Sequence, residues 1–142
     1  MRTLYCLLFL LSYSLLGYTA LPTHFQFRHY NIENGVSSNG IASILQDQKG
    51  YIWLGTDNGL SRFDGNQFVF YQKNNPLYPD FHANSINAIC ETNTNELWLG
   101  TENGVYIYNQ VKDTFTPFLE KTSNNTGISS WITHIIQAKE KN

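Results

Sequence analysis

The sequence predicts an all-β fold of short antiparallel strands, and three observations carry that prediction. First, the chain repeats itself. IWLGTDNGLSRFDG at residues 52–65 returns as LWLGTENGVYIYNQ at residues 97–110. Trp53 recurs 45 positions on as Trp98, and the same offset carries Ile41 to Ile86, Ile44 to Ile89 and Phe70 to Phe115, with no gap required. Second, aromatic residues make up 15% and charged residues only 14%, a balance suited to strands and tight turns rather than helices. Third, each period contains four strand-like runs separated by turn residues. Four antiparallel strands every ~40–50 residues are the pattern of a β-propeller blade.

The elements follow in order. Residues 1–20 carry a single charge, Arg2, then an apolar run from Leu4 to about Leu16, then small residues. This is the form of a secretory signal peptide, and cleavage is expected after Ala20. The bulk of Tyr18 near that point leaves an uncleaved membrane anchor as the alternative. Residues 21–40 form a leading segment, in which Phe25 and Phe27 share one face of an expected lone strand. Blade 1 covers residues 41–71: a strand from Ile41 to Gln46, a turn at Asp47–Gly50, a strand from Tyr51 to Thr56, a tight turn at Asp57–Gly59, then strands at Leu60–Phe63 and Gln67–Tyr71 around Asp64–Gly65. Residues 72–85 form a long inter-blade loop. Blade 2 covers residues 86–118, with strands at Ile86–Glu91, Glu96–Thr101, Val105–Tyr108 and Thr114–Phe118. Residues 119–131 form a second loop, and residues 132–142 begin a third copy whose Trp-Leu-Gly-Thr strand is not reached.

A propeller needs roughly 4–8 blades. Two blades and two loose strands therefore read as an incomplete propeller, the beginning of a longer protein. The repeated residues have structural reasons to recur, because no blade can bury its faces alone. Trp53 and Trp98 are expected to fill the gap between blades, and Gly55 and Gly100 to let a neighbouring strand approach. Thr56, Asn58, Gly59, Thr101, Asn103 and Gly104 complete the strand-and-turn motif. Cys90, the one cysteine after residue 20, reads as a buried small hydrophobe rather than a reactive thiol.

Composition narrows the function. A net charge of −2 and scattered Lys and Arg give no footprint for nucleic acid. No phosphate-cradling loop, metal-ligand spacing or nucleophile motif appears, so no catalytic residue, metal or cofactor is assigned. The candidate ligand-binding residues lie on the loops that join blades: Tyr78, Asp80, Phe81, His82 and Trp131. Flat rings beside hydrogen-bonding groups suit a sugar, although Tyr78, Phe81 and Trp131 would also serve simply to pack the loops down.

The run ILQDQKGYIWLGTDNGLSRFDG, with its echo ICETNTNELWLGTENGVYIYNQ, resembles the two-component regulator propeller repeat. That repeat occurs in extracytoplasmic sensor regions of hybrid histidine kinases of the Bacteroidetes type. The resemblance implies a non-catalytic, periplasmic sensing segment at the inner membrane, an oligosaccharide-derived ligand, a homodimeric full-length receptor, and kinase chemistry only beyond Asn142. Its membrane contact would be limited to the signal peptide or a downstream helix. The alternatives are an exported propeller enzyme of the lyase or glycosidase type, or an interaction module without signalling output.

Overall fold

A computed structural model describes residues 26–118 and 130–138 of the chain. The signal-peptide expectation, Phe25, and most of the second loop lie outside them. Two four-stranded antiparallel sheets, each in sequence order, make up the fold. The first contains β1 (Ile41–Gln46), β2 (Ile52–Thr56), β3 (Gly59–Phe63) and β4 (Phe68–Tyr71); the second contains β5 (Ile86–Glu91), β6 (Glu96–Thr101), β7 (Gly104–Asn109) and β8 (Thr114–Pro117). Among the described residues there is no α-helix, only a single 3-10 turn at Ile32–Asn34.

Pairing register decides what each sheet face shows, because side chains alternate along a strand. Leu45 pairs with Trp53, Trp53 with Arg62, and Arg62 with Val69, so these four share the face of blade 1 turned toward blade 2. On blade 2, Ile89 pairs with Leu99, Leu97 with Tyr108, and Tyr108 with Phe115, which places them on the opposing face. Together these faces make the hydrophobic core, in which Trp53, Leu60, Tyr71, Leu97, Leu99 and Tyr108 are almost entirely buried. Trp53 is 0% exposed and stands between the rings of Tyr71 (5.9 Å) and Tyr108 (5.4 Å). It fills the gap between blades as the sequence predicted.

Gly55 and Gly100 act as close-approach points. A Cβ on Gly55 would lie 2.5 Å from the Ile86 carbonyl oxygen, and one on Gly100 would lie 2.7 Å from the Ile132 side chain. Ile132 therefore meets blade 2 as Ile86 meets blade 1. Its N–H donates to the Thr101 carbonyl at 2.9 Å, so the third copy begins in the place its sequence suggests. Residues 132–138 nevertheless make no strand ladder with the described residues.

Two expectations need correction. The leading segment is not a strand over its described part: residues 26–31 are irregular, and Tyr30 instead packs on Phe63 (5.0 Å) and Phe68 (5.5 Å). The second correction concerns the gapless alignment, which fails in the outer hairpin. Phe115 pairs with Tyr108, whereas the corresponding partner of Phe63 is Phe68, not Phe70. Phe70 points outward, 47% exposed. Six residues separate Tyr108 from Phe115 where four separate Phe63 from Phe68, the extra two forming the added ladder pair Asn109–Thr114, and the offset there becomes 47. Trp98 confirms the shift, because Phe118 packs on it (4.9 Å) as Tyr71 packs on Trp53. The expected turn between β5 and β6 does form, although it lacks the Asp and Gly of blade 1. Asn95 takes the left-handed conformation (φ 59°) that Gly50 takes in blade 1 (φ 89°).

Candidate functional site

The β2–β3 and β6–β7 turns lie at one rim of the blades, together with the ends of the inter-blade loop. Each turn is built by the same three residues. Thr56 Oγ1 donates to the Gly59 carbonyl and accepts from the Asn58 N–H, while Thr101 does the same with Gly104 and Asn103. Gly59 and Gly104 hold φ of 102° and 103°, a region that costs other residues strain. The amide groups of Asn58 and Asn103 reach back to the carbonyls of Ser37 (3.1 Å) and His82 (3.3 Å). The repeated Asn thus ties each turn to the segment entering its blade. Glu102 completes the tie in blade 2, its two carboxylate oxygens accepting from the N–H groups of Asn84 and Ser85 at 2.7 Å each.

On this scaffold the five sequence candidates separate into three places. Exposed His82 lies beside the Asn103 turn. Trp131, 62% exposed, precedes Ile132, which is bonded to Thr101, so both residues face the same rim. Phe81 belongs to the core: it is 0% exposed and stacks on Phe115 at 4.3 Å. Packing is what its ring does here. Tyr78 and Asp80 lie elsewhere again, because the loop runs down the outer side of the blades to the β7–β8 turn. There the Tyr78 hydroxyl donates to Asp113 at 2.9 Å, and a hollow of about 40 Å³ lies between Tyr78, Asp80 and Asp113.

Asp113 was not singled out by sequence reasoning. It sits in the left-handed region (φ 53°), and its second oxygen accepts from Tyr108, whose hydroxyl also meets that of Tyr71 at 3.2 Å. Burial is the main influence on these phenols: it pushes Tyr108 and Tyr78 far above the usual range and raises Tyr71. The hydrogen bonds to Asp113 push Tyr108 and Tyr78 further in the same direction. All stay protonated donors across physiological pH. The signal available in sequence was weak, since Asp113 stands in the β7–β8 hairpin, where the gapless alignment breaks down.

Chemically, the rim can present hydrogen-bonding groups and one broad ring to a ligand. Among the described residues no group of three or more His, Cys, Asp or Glu is placed to hold a metal ion. A larger apolar groove of about 650 Å³ lies on the outer face of blade 1, between Tyr30, Ile44, Leu54, Phe63 and Phe68.

Comparison with known proteins agrees with this geometry. The family model described as two component regulator propeller matches residues 35–58 and 80–103. Each match runs from the segment entering a blade to its Thr-acid-Asn turn, the same stretch that the Asn58 and Asn103 bonds tie together. The chain is 36% identical over 67 residues to Histidine kinase P4 of Formosa agariphila, covering 47% of this chain and 5% of that protein. It also resembles the extracellular domain of a putative hybrid two component system from B. thetaiotaomicron, with a TM-score of 0.60 and 27% identity. That likeness covers 69% of this chain and 14% of the other. The chain thus spans a small part of the length of either relative.

Proposed function

We propose, from the premise that this chain carries two copies of the two component regulator propeller repeat, that it is part of the ligand-sensing region of a hybrid histidine kinase. One relative is named a histidine kinase and the other a putative hybrid two component system, solved as an extracellular domain, which supports a periplasmic location. The observation that carries the reading is the division of roles among the polar groups. Turn residues at the loop rim are spent on holding blades together, while His82 and Trp131 remain exposed beside them. This suits a binding surface rather than a catalytic one.

The ligand we favour is carbohydrate-derived, contacted at the loop rim by His82 and Trp131, with Asp80 further along the loop. In the full-length receptor, a ligand spanning neighbouring blades would stabilise one placement of two protomers over another. Only differential affinity for the two states can drive such a switch. The test is calorimetry of the periplasmic part of the full-length protein against a panel of plant and algal oligosaccharides. Binding by one of them that Trp131→Ala weakens supports the reading. Binding untouched by both Trp131→Ala and His82→Ala removes the rim from it.

A further inference from the structure

The outer edge of each blade carries an aromatic pair three residues apart, Phe68 with Tyr71 and Phe115 with Phe118. The first ring of each pair sits opposite the third strand, Phe68 beside Phe63 and Phe115 beside Tyr108. The second packs on the blade's own tryptophan, Tyr71 on Trp53 and Phe118 on Trp98. The leading segment holds the same spacing in Phe27 and Tyr30.

Tyr30 is also placed like the second ring of such a pair. At the internal junction, Tyr71 of blade 1 meets Tyr108 and Phe115 of blade 2, both at 5.4 Å and tilted by 57° and 65°. On the outer face of blade 1, Tyr30 meets Phe63 at 5.0 Å and Phe68 at 5.5 Å, tilted by 56° and 74°. Phe63 and Phe68 are the ladder equivalents of Tyr108 and Phe115, and the two receiving pairs have the same 4.6 Å separation. The onward connection matches as well. Asn58 bonds the Ser37 carbonyl as Asn103 bonds that of His82, and Val36 is buried as Phe81 is. Residues 31–40 thus enter blade 1 as residues 72–85 enter blade 2, and Tyr30 stands where the outer strand of a preceding blade would end.

The rest of that face is apolar and uncovered. Ile44 is 70% exposed, and Ile41 is half-exposed although its counterpart Ile86 is buried at the internal junction. Phe27 is 96% exposed, against 3% for its counterpart Phe115. What covers this kind of face inside the chain is a sheet bringing Trp53, Gly55 and Leu60.

We propose that residues 26–30 are the outer strand of a further blade, formed when a three-stranded sheet of the same repeat docks on the outer face of blade 1. That sheet brings a Trp-x-Gly strand and no outer strand of its own, because a fourth strand would drive a second ring into the space Tyr30 already fills. Its open edge supplies the ladder that residues 26–30 have no partner for among the described residues. The solved extracellular domain, of which this chain covers 14%, has ample length for such a sheet. This pairing rests on the repeat and is independent of the sensing role.

Hydrogen exchange on the full-length periplasmic region tests the strand without any substitution. Amides of residues 27–30 are expected to exchange at least about tenfold more slowly than in a free peptide of the same sequence. Cover of the face is read by maleimide labelling, with the native cysteines replaced by serine. Ile44→Cys should react at least about tenfold more slowly than Val111→Cys, whose site is 88% exposed at a hairpin tip. Tyr30→Ala should speed both exchange and labelling, whereas Tyr30→Phe should change little, since Phe63 and Phe68 offer its hydroxyl no partner. Exchange at the free-peptide rate, or Ile44→Cys labelled as fast as Val111→Cys, would each overturn the proposal. So would protection of Ile44→Cys that is lost on dilution together with a dimer in sedimentation, which would give the face to a second copy. Exchange of the parent protein decides the strand even where a cysteine variant fails to fold.

Discussion

Blade 1 and blade 2 repeat one plan, yet their central tryptophans live differently. In blade 1 the Asp47 carboxylate accepts from the Trp53 indole N–H at 2.7 Å and from the N–H groups of Lys49 (3.0 Å) and Tyr51 (2.9 Å). One side chain thus closes the first turn and orients the inter-blade ring. In blade 2 the same position is Thr92. Its hydroxyl still closes the turn through the Glu96 N–H at 3.3 Å, but the buried Trp98 indole N–H has no partner among the described residues. Trp98 faces a cleft of about 180 Å³ lined by Cys90, Ile135 and Ile136. The lesson is that turn closure and tryptophan orientation are separable jobs. The repeat needs the first in every blade and the second only where the ring is enclosed by a neighbour.

The comparison can be broken most severely at the enclosed ring. Trp53→Ala is expected to cost about 3–5 kcal/mol, enough to threaten folding. Trp98→Ala should cost clearly less, because its ring is only half-buried; denaturant midpoints of the two variants would show equal losses if enclosure is not what matters. Next comes Asp47→Ala, which strands three N–H groups and is expected to cost roughly 2–4 kcal/mol. The converse change sharpens the contrast: Thr92→Asp should supply Trp98 with its missing acceptor and raise stability by about 1 kcal/mol. A loss there would mean that the blade 2 turn cannot accommodate the acid. A smaller effect appears at high pH. Tyr71, Tyr78, Tyr106 and Tyr108 all have raised folded-state values, chiefly through burial. Their contribution is fully present below the unfolded phenol value of about 10 and is lost as pH rises beyond it, since only the unfolded chain then ionises readily. Melting followed from pH 8 to 11 should show that decline, and Tyr108→Phe should reduce it.

Much of this architecture was legible because the repeat constrains it twice. All eight strands start and end within a residue of expectation, since Asp-Gly and Asn-Gly turns and alternating apolar residues mark them locally. The roles of Trp53 and Gly55 followed from the same logic. What stayed hidden depended on contacts across the chain. The outer hairpin slipped by two residues because phenylalanines stand at both 68 and 70, and sequence alone cannot choose which one pairs with Phe63. Phe81 looked like a loop ring, yet the loop dips inward at that point and buries it. Asp113 became visible only when the groove between blades could be seen.

The two sheet faces of a blade are not alike. One offers a tryptophan and a glycine, the other a row of leucine, isoleucine and aromatic rings, and the internal junction joins one kind to the other. Such a stack has a direction, as a polar polymer does. Adding a blade buries one face of each kind and creates one of each, so the raw ends neither grow nor shrink with length. Only a junction that brings the first and last faces together removes both at once. In a ring of these repeats, closure is therefore the one step that gains an interface without adding a blade, and the stability gained there should be shared cooperatively by every blade in the ring.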